Sequence, residues 1–86
     1  MQNILVSITG TELDFDSARG MAFSLAEKGN KDTSLVAWHD GIKQKHSPCC
    51  VRCELGGRPG WEVYGENHQG RLMIIFNDRQ YVFIHT

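Results

Sequence analysis

The balance between helical and strand patterns most constrains the fold of this chain. One stretch places its apolar residues at helical spacing, namely Phe15, Ala18, Ala22, Leu25 and Ala26. Five others have patterns that are typical of strands, either alternating or almost wholly apolar, namely residues 3–9, 33–39, 61–65, 71–76 and 81–86. One helix cannot cover both faces of a five-stranded sheet. The second face must be covered by the cysteine-containing segment at residues 48–55, be partly solvated, or pack against a second copy of the chain.

The order of these stretches predicts an α+β fold, with one helix packed on a mostly antiparallel five-stranded sheet. The helix between the first two strands favours a parallel pair joined by a right-handed crossover. Turn residues at 67–70 and 77–80 join the last three strands into an antiparallel meander. Gly20 in the middle of the helix costs about 1 kcal/mol relative to alanine and predicts close packing on the sheet. At 86 residues, we expect a single domain over residues 1–86.

All three cysteines of the chain lie within residues 49–53, just after His46. Ser47 suits the N-cap of a helix, Pro48 suits its first position, and the glycines at 56 and 57 suit its end. We therefore predict a short helix over Pro48–Leu55, on which Cys53 can face either Cys49 or Cys50. In an extended segment, Cys49 and Cys50 would instead point to opposite sides, which weakens the case for a cluster. The first turn of a helix favours a thiolate, so this segment predicts reactive or metal-binding sulfur.

The leading hypothesis for this segment is a site for zinc or another soft metal. Cys50 and Cys53 have the C-x-x-C spacing of zinc knuckles, and His46 lies four residues before Cys50. Thiolate and imidazole ligands suit zinc, and also iron or copper(I). A fourth ligand could come from water or from one of three side chains: Cys49, His39 or His68.

Two alternative functions are a dithiol redox or sensor protein and a protein-interaction module. In the first, Cys50 attacks and Cys53 resolves, as in a dithiol redox protein or thiol sensor. Residues 41–60 support this reading because they carry four basic side chains and one acidic side chain, and positive charge lowers the pKa of thiols. In the second, the cysteines are inert and the chain is a protein-interaction module whose open sheet face binds a partner, such as a second copy in a homodimer.

Composition excludes several classes. No apolar run approaches the roughly 18 residues that cross a membrane, and the N-terminal residues lack the basic start of a signal peptide. We therefore expect a cytoplasmic protein with reduced thiols. The net charge of −1 argues against nucleic-acid binding, although Trp38 and Trp61 beside basic residues would be the surface for it.

Three stretches carry a resemblance to a known family: Asp16-Ser17-Ala18-Arg19-Gly20-Met21-Ala22, Trp61-Glu62-Val63-Tyr64-Gly65-Glu66-Asn67-His68 and Tyr81-Val82-Phe83-Ile84. The chain resembles small uncharacterised single-domain proteins of anaerobic bacteria and archaea, which are grouped as a domain of unknown function. The similarity covers nearly the whole chain. It implies a self-contained cytoplasmic domain and brings no activity, cofactor or site residues.

Overall fold

A computed structural model of the protein describes residues 1–49 and 54–86. Its elements, in chain order, are β1 (Gln2–Val6), α1 (Phe15–Gly29), β2 (Leu35–Asp40), β3 (Lys45–Ser47), β4 (Glu54–Leu55), β5 (Arg58–Pro59), α2 (Gly60–Asn67), β6 (Leu72–Phe76) and β7 (Tyr81–His85). One sheet has the spatial order β1-β6-β7-β2-β3, and β4 and β5 form a separate hairpin. No helix in this described part is long and apolar enough to span a membrane.

β6 and β7 lie at the centre of the sheet because their sequences are apolar on both faces. Every residue of both strands is buried. A strand of this kind is stable only where both of its faces are covered. The two strands pair antiparallel, with Ile74 opposite Phe83, and they separate β1 from β2.

The predicted α+β class, with a mostly antiparallel five-stranded sheet, is confirmed. Only β1 and β6 pair in parallel, whereas the other pairs in this sheet are antiparallel. The predicted pairing between the first two strands is wrong, since the central hairpin of β6 and β7 lies between them. The fifth strand is β3, in a stretch that the sequence presented as a loop, and residues 61–65 are helical instead.

α1 forms where the apolar stripe predicted it. The Asp14 carboxylate caps the helix by accepting a 2.7 Å hydrogen bond from the backbone N–H of Ser17. Three alanines face the sheet and are fully buried: Ala18, Ala22 and Ala26. The predicted packing of Gly20 against the sheet is wrong, because a Cβ atom built there would meet nothing within 4 Å.

α2 covers the opposite face of the sheet, and the strand predicted at residues 61–65 is wrong. Trp61, Tyr64 and Gly65 share one side of this helix, as residues at i, i+3 and i+4 do. Trp61 and Tyr64 pack with Ala37 of β2 and with apolar residues of β6 and β7. A Cβ on Gly65 would lie 2.7 Å from Cδ1 of Ile84, so only glycine permits this close approach.

The helix predicted over Pro48–Leu55 is wrong at both of its described ends. Ser47 belongs to β3, where it lies opposite Trp38, so its backbone is used by the sheet and not by a helix cap. At the other end, β4 pairs antiparallel with β5. Gly56 and Gly57 have φ values of 60° and 82° and form the two-residue turn of this hairpin. Residues 50–53 lie outside the described part of the chain.

Candidate functional site

The hairpin of β2 and β3 carries the predicted site, and its turn is firmly held. Asp40 is buried and its carboxylate accepts hydrogen bonds from the backbone N–H groups of Ile42 and Lys43, both at 3.0 Å. The backbone N–H of Gly41 donates to the carbonyl of Gln80 at 2.7 Å. A Cβ at Gly41 would lie 3.0 Å from that same carbonyl oxygen. The turn is therefore docked on the loop between β6 and β7.

This hairpin brings together two of the predicted ligands, His39 and His46. They lie directly opposite each other in the antiparallel register of β2 and β3. Residues in such positions have Cβ atoms about 4.5–5.5 Å apart and side chains on the same face of the sheet. The face is the one that α2 covers, since Ala37 lies two residues before His39 and packs against Trp61.

His39 is held in an aromatic and partly buried environment. Its ring stacks on the indole of Trp61, with centroids 5.2 Å apart and planes 6° apart. Nδ1 of His39 is buried without a hydrogen-bond partner among residues 1–49 and 54–86. Burial lowers the pKa of His39 below 6.5, the positive charges of Arg79 and His46 lower it further, and Asp40 opposes them. The environment of His39 therefore favours the neutral imidazole.

His46 has one ring nitrogen committed to the backbone. Its Nδ1 lies 3.0 Å from the carbonyl oxygen of Pro48. A carbonyl oxygen only accepts hydrogen bonds, so Nδ1 is the donor, and in the neutral ring Nε2 then keeps its lone pair. Metal-ligating histidines are commonly oriented in this way, by a hydrogen bond from the other ring nitrogen to a backbone carbonyl.

The predicted cysteine ligands are only partly within the described chain. Cys49 is exposed and lies three residues after His46, two residues beyond the end of β3. Cys50 and Cys53 lie outside the described residues. Within residues 1–49 and 54–86, no three histidine, cysteine or acidic side chains are placed to hold a metal ion. The hairpin of β2 and β3 thus brings together two imidazoles. A site with three or more ligands would also need ligands from the cysteine segment that follows β3.

Arg58, one of the basic residues expected to lower the pKa of the thiols, forms ion pairs with two glutamates of α2. Arg58 donates to the Glu62 carboxylate at 3.0 Å and to that of Glu66 at 2.7 Å. Arg79 also donates to Glu62, at 3.1 Å, and its guanidinium lies 5.8 Å from the centroid of the Trp61 ring. These ion pairs fix α2 to β5 and to the loop before β7. The positive charge of Arg58 is therefore largely neutralised by its own partners.

The remaining candidates lie apart from this pair of histidines. His68 follows α2, where its Nδ1 is 2.8 Å from the carbonyl of Tyr64 and its ring stacks on that of Tyr64. His85 is buried at the end of β7, and its Nδ1 is 3.2 Å from the hydroxyl of Thr33. Trp38 packs in the cluster beneath α1, whereas Trp61 packs on the other face of the sheet. The two indoles consequently do not form a common stacking surface.

Sequence reasoning missed the stacking of Trp61 on His39 and the position of Arg79 beside them. Both contacts depend on α2, which was interpreted as a strand. The spacing of Trp61, Tyr64 and Gly65 was the signal available, because it places two large rings and a small residue on one helical face.

Comparison with known proteins gives a family but no activity. The chain belongs to the DUF5619 family, a domain of unknown function, whose model matches residues 1–85. A crystal structure of AF1514, described as a novel protein of Archeoglobus fulgidus DSM 4304, is similar with a TM-score of 0.79. The two chains are 27% identical, over 100% of this chain and 93% of the other. No functionally curated protein matches.

Proposed function

We propose that this protein binds zinc or another soft transition metal at the end of the hairpin formed by β2 and β3. His39 and His46 provide the imidazole ligands, and two thiolates from Cys49, Cys50 and Cys53 complete the four-coordinate set. Residues 49–53 hold all three cysteines of the chain. The observation that carries the proposal is the direct opposition of His39 and His46, which puts two imidazoles beside the start of that segment.

The lowered pKa of His39 and the hydrogen bond made by the His46 ring support metal binding. A metal ion binds the neutral imidazole, so a histidine whose pKa is lowered competes less with protons at pH 7. Burial lowers the pKa of His39 in this way. At His46, the contact with the Pro48 carbonyl leaves Nε2 as the nitrogen with a lone pair. Imidazole and thiolate together are the ligand set that zinc prefers in structural sites.

In this proposal, the metal fastens the cysteine segment to the sheet. The segment lies between the end of β3 at Ser47 and the start of β4 at Glu54. Metal binding contributes directly to folding free energy, so ligation by these cysteines would stabilise the attachment of the segment to the sheet. The thiolates require a reducing compartment, and the cytoplasmic location expected from the sequence would provide one.

Native mass spectrometry with elemental analysis, on protein prepared without chelator, tests the proposal. We expect about one zinc ion per chain. Cys50→Ser should abolish binding, and His46→Gln should weaken zinc affinity at least tenfold, by about 1.4 kcal/mol. His68→Gln is the matched control, because it removes an exposed histidine at the far end of α2 and should leave zinc content unchanged.

Two results would overturn this assignment. A folded protein that contains no metal and takes up no added zinc would exclude it. Equal zinc loss in His68→Gln and His46→Gln would also exclude it, because the site would then not be at this hairpin. If the metal-free protein had a cysteine pKa well below the ordinary ~8.5, a dithiol redox or sensor function would replace the metal site.

A further inference from the structure

The outer edge of β1 presents backbone groups to solvent. The N–H of Gln2 donates to the carbonyl of Arg71, and the carbonyl of Val6 accepts from the N–H of Asn77, so both residues bond toward β6. In a parallel ladder, alternate residues make both of their bonds to the same neighbour. The N–H and C=O groups of Asn3 and Leu5 therefore point outward, and β1 is the first strand in the sheet order.

An apolar side chain marks the centre of this edge. Leu5 is 79% exposed, the highest exposure among the large hydrophobic residues of the described chain. Its neighbours Ile4 and Val6 point to the other face of the sheet, where they pack partly against the cluster beneath α1. An exposed edge strand with an apolar centre is a template for pairing with another strand unless it is covered.

A groove runs along the same edge, between β1 and α1. It has a volume of about 730 Å³, and its floor is formed by Ile4 and Val6 together with Met21 and Leu25 of the helix. Two charged side chains of opposite sign, Asp16 and Lys28, also line it. The edge and the groove thus form one surface with an apolar centre and complementary charges.

We propose that this surface, defined as the outer edge of β1 with the groove beside α1, binds a second copy of the same chain through antiparallel pairing of the two β1 strands. The charge pattern of the groove favours a second copy as the occupant, because Asp16 lies in the first turn of α1 and Lys28 in the last, so that two antiparallel copies carry opposite charges at each end. A twofold axis between the two strands places Leu5 opposite Leu5 of the second copy and Ile4 opposite Val6 of that copy. In that arrangement, the outward N–H and C=O of Leu5 bond to those of Leu5 in the second copy.

The residues of α1 that line the groove are also arranged symmetrically along the helix. The charged residues that line the groove, Asp16 and Lys28, are equally spaced about position 22, as are Gly20 and Ser24. An antiparallel arrangement of the two helices therefore faces Asp16 of one copy toward Lys28 of the other across the joined groove. Self-complementarity of this kind is what a twofold interface requires. The dimer would have a continuous sheet of both copies, with both α1 helices on one face.

Sedimentation equilibrium of the full chain tests this dimer, with Leu5→Lys as the disrupting variant. Leu5 is exposed, so the substitution should leave the circular dichroism spectrum unchanged while raising the dimer dissociation constant at least about tenfold. Ile42→Lys is the matched control, because Ile42 is also apolar and 64% exposed but lies in the turn after β2. It should leave the dissociation constant unchanged.

Two further measurements examine the geometry. Asp16→Lys should weaken the dimer, and adding Lys28→Asp to it should restore affinity, because the opposed charges are only exchanged. Amide hydrogen exchange at Leu5 should slow as protein concentration rises. A wild-type chain that stays monomeric at high micromolar concentration would overturn the proposal, as would a dimer that survives Leu5→Lys. A monomer whose β1 edge instead takes up an extended peptide would overturn it equally.

Discussion

Gly20 and Gly65 both lie inside helices, yet we expect replacement by alanine to change stability in opposite directions. Alanine is favoured over glycine in a helix interior by about 1 kcal/mol. At Gly20 a new Cβ meets nothing within 4 Å, so Gly20→Ala should raise the free energy of unfolding by the whole of this amount. At Gly65 the same atom would lie 2.7 Å from Cδ1 and 3.0 Å from Cγ2 of Ile84.

Ile84 has little freedom to relieve this contact. It is fully buried in β7, and β-branched side chains have few accessible rotamers. α2 must therefore move away from the sheet, and overpacking of this kind costs about 1–3 kcal/mol. After the gain of about 1 kcal/mol in helix propensity, Gly65→Ala should be destabilised by a net ~1 kcal/mol. The difference between the two variants is then about 2 kcal/mol.

Urea unfolding followed by tryptophan fluorescence measures both effects. The titrations should be repeated at several protein concentrations, because any association adds to apparent stability. Each 1 kcal/mol corresponds to about 4–8 °C in Tm for a chain of this size. In Gly65→Ala the native fluorescence should also change, since Trp61 moves relative to His39. A Gly65→Ala variant as stable as wild type would refute the close packing of α2 against Ile84. A destabilised Gly20→Ala variant would show that another part of the protein covers this side of α1.

Three other predictions concern titration and capping. Burial lowers the pKa of His39 and of His85 below 6.5 in the folded protein, so the unfolded chain binds more protons and stability should fall as pH decreases below about 6.5. His39→Phe and His85→Phe should each flatten this dependence in urea titrations between pH 7 and 5, and an unchanged slope would contradict the assignment. Asp14→Ala removes the acceptor for the N–H of Ser17 and should cost about 1 kcal/mol by thermal unfolding, whereas Asp14→Asn should retain most of the stability. Arg71→Met removes the largest positive charge effect on His85, so the pKa of His85 should rise in an NMR titration, and a fall would contradict it.

The parts of the fold that were predictable are those in which local pattern and tertiary environment agree. Ala18, Ala22 and Ala26 repeat every four residues, and all three face the sheet in α1. The runs at 72–76 and 81–85 are apolar at nearly every position, which suits central strands alone. Their position between β1 and β2 was not predictable, because strand order depends on contacts that are distant in sequence.

The secondary-structure predictions failed where a short stretch of sequence fits both the two-residue repeat of a strand and the 3.6-residue repeat of a helix. Trp61-Glu62-Val63-Tyr64 alternates as a strand does over four residues. Trp61, Tyr64 and Gly65 also share one face of a helix, however. The helix forms because its apolar face packs on the side of the sheet that α1 leaves uncovered. His39 was identified as a ligand candidate from its closeness in sequence to the cysteines. Its opposition to His46 was not predicted, because the residues between them were interpreted as a loop rather than as a hairpin.

The two proposed sites lie at opposite edges of the sheet, and this separation makes them independently testable. β3 carries His46 at one edge, and β1 carries Leu5 at the other, with three strands between them. Pairing of two β1 strands would therefore leave the hairpin of β2 and β3 exposed in each copy, so zinc content per chain should not depend on protein concentration. The Leu5→Lys monomer should bind zinc as tightly as wild type, and Cys50→Ser should remain a dimer. Loss of zinc when the wild-type dimer dissociates on dilution would contradict this independence, because it would mean that the second copy contributes to the zinc site.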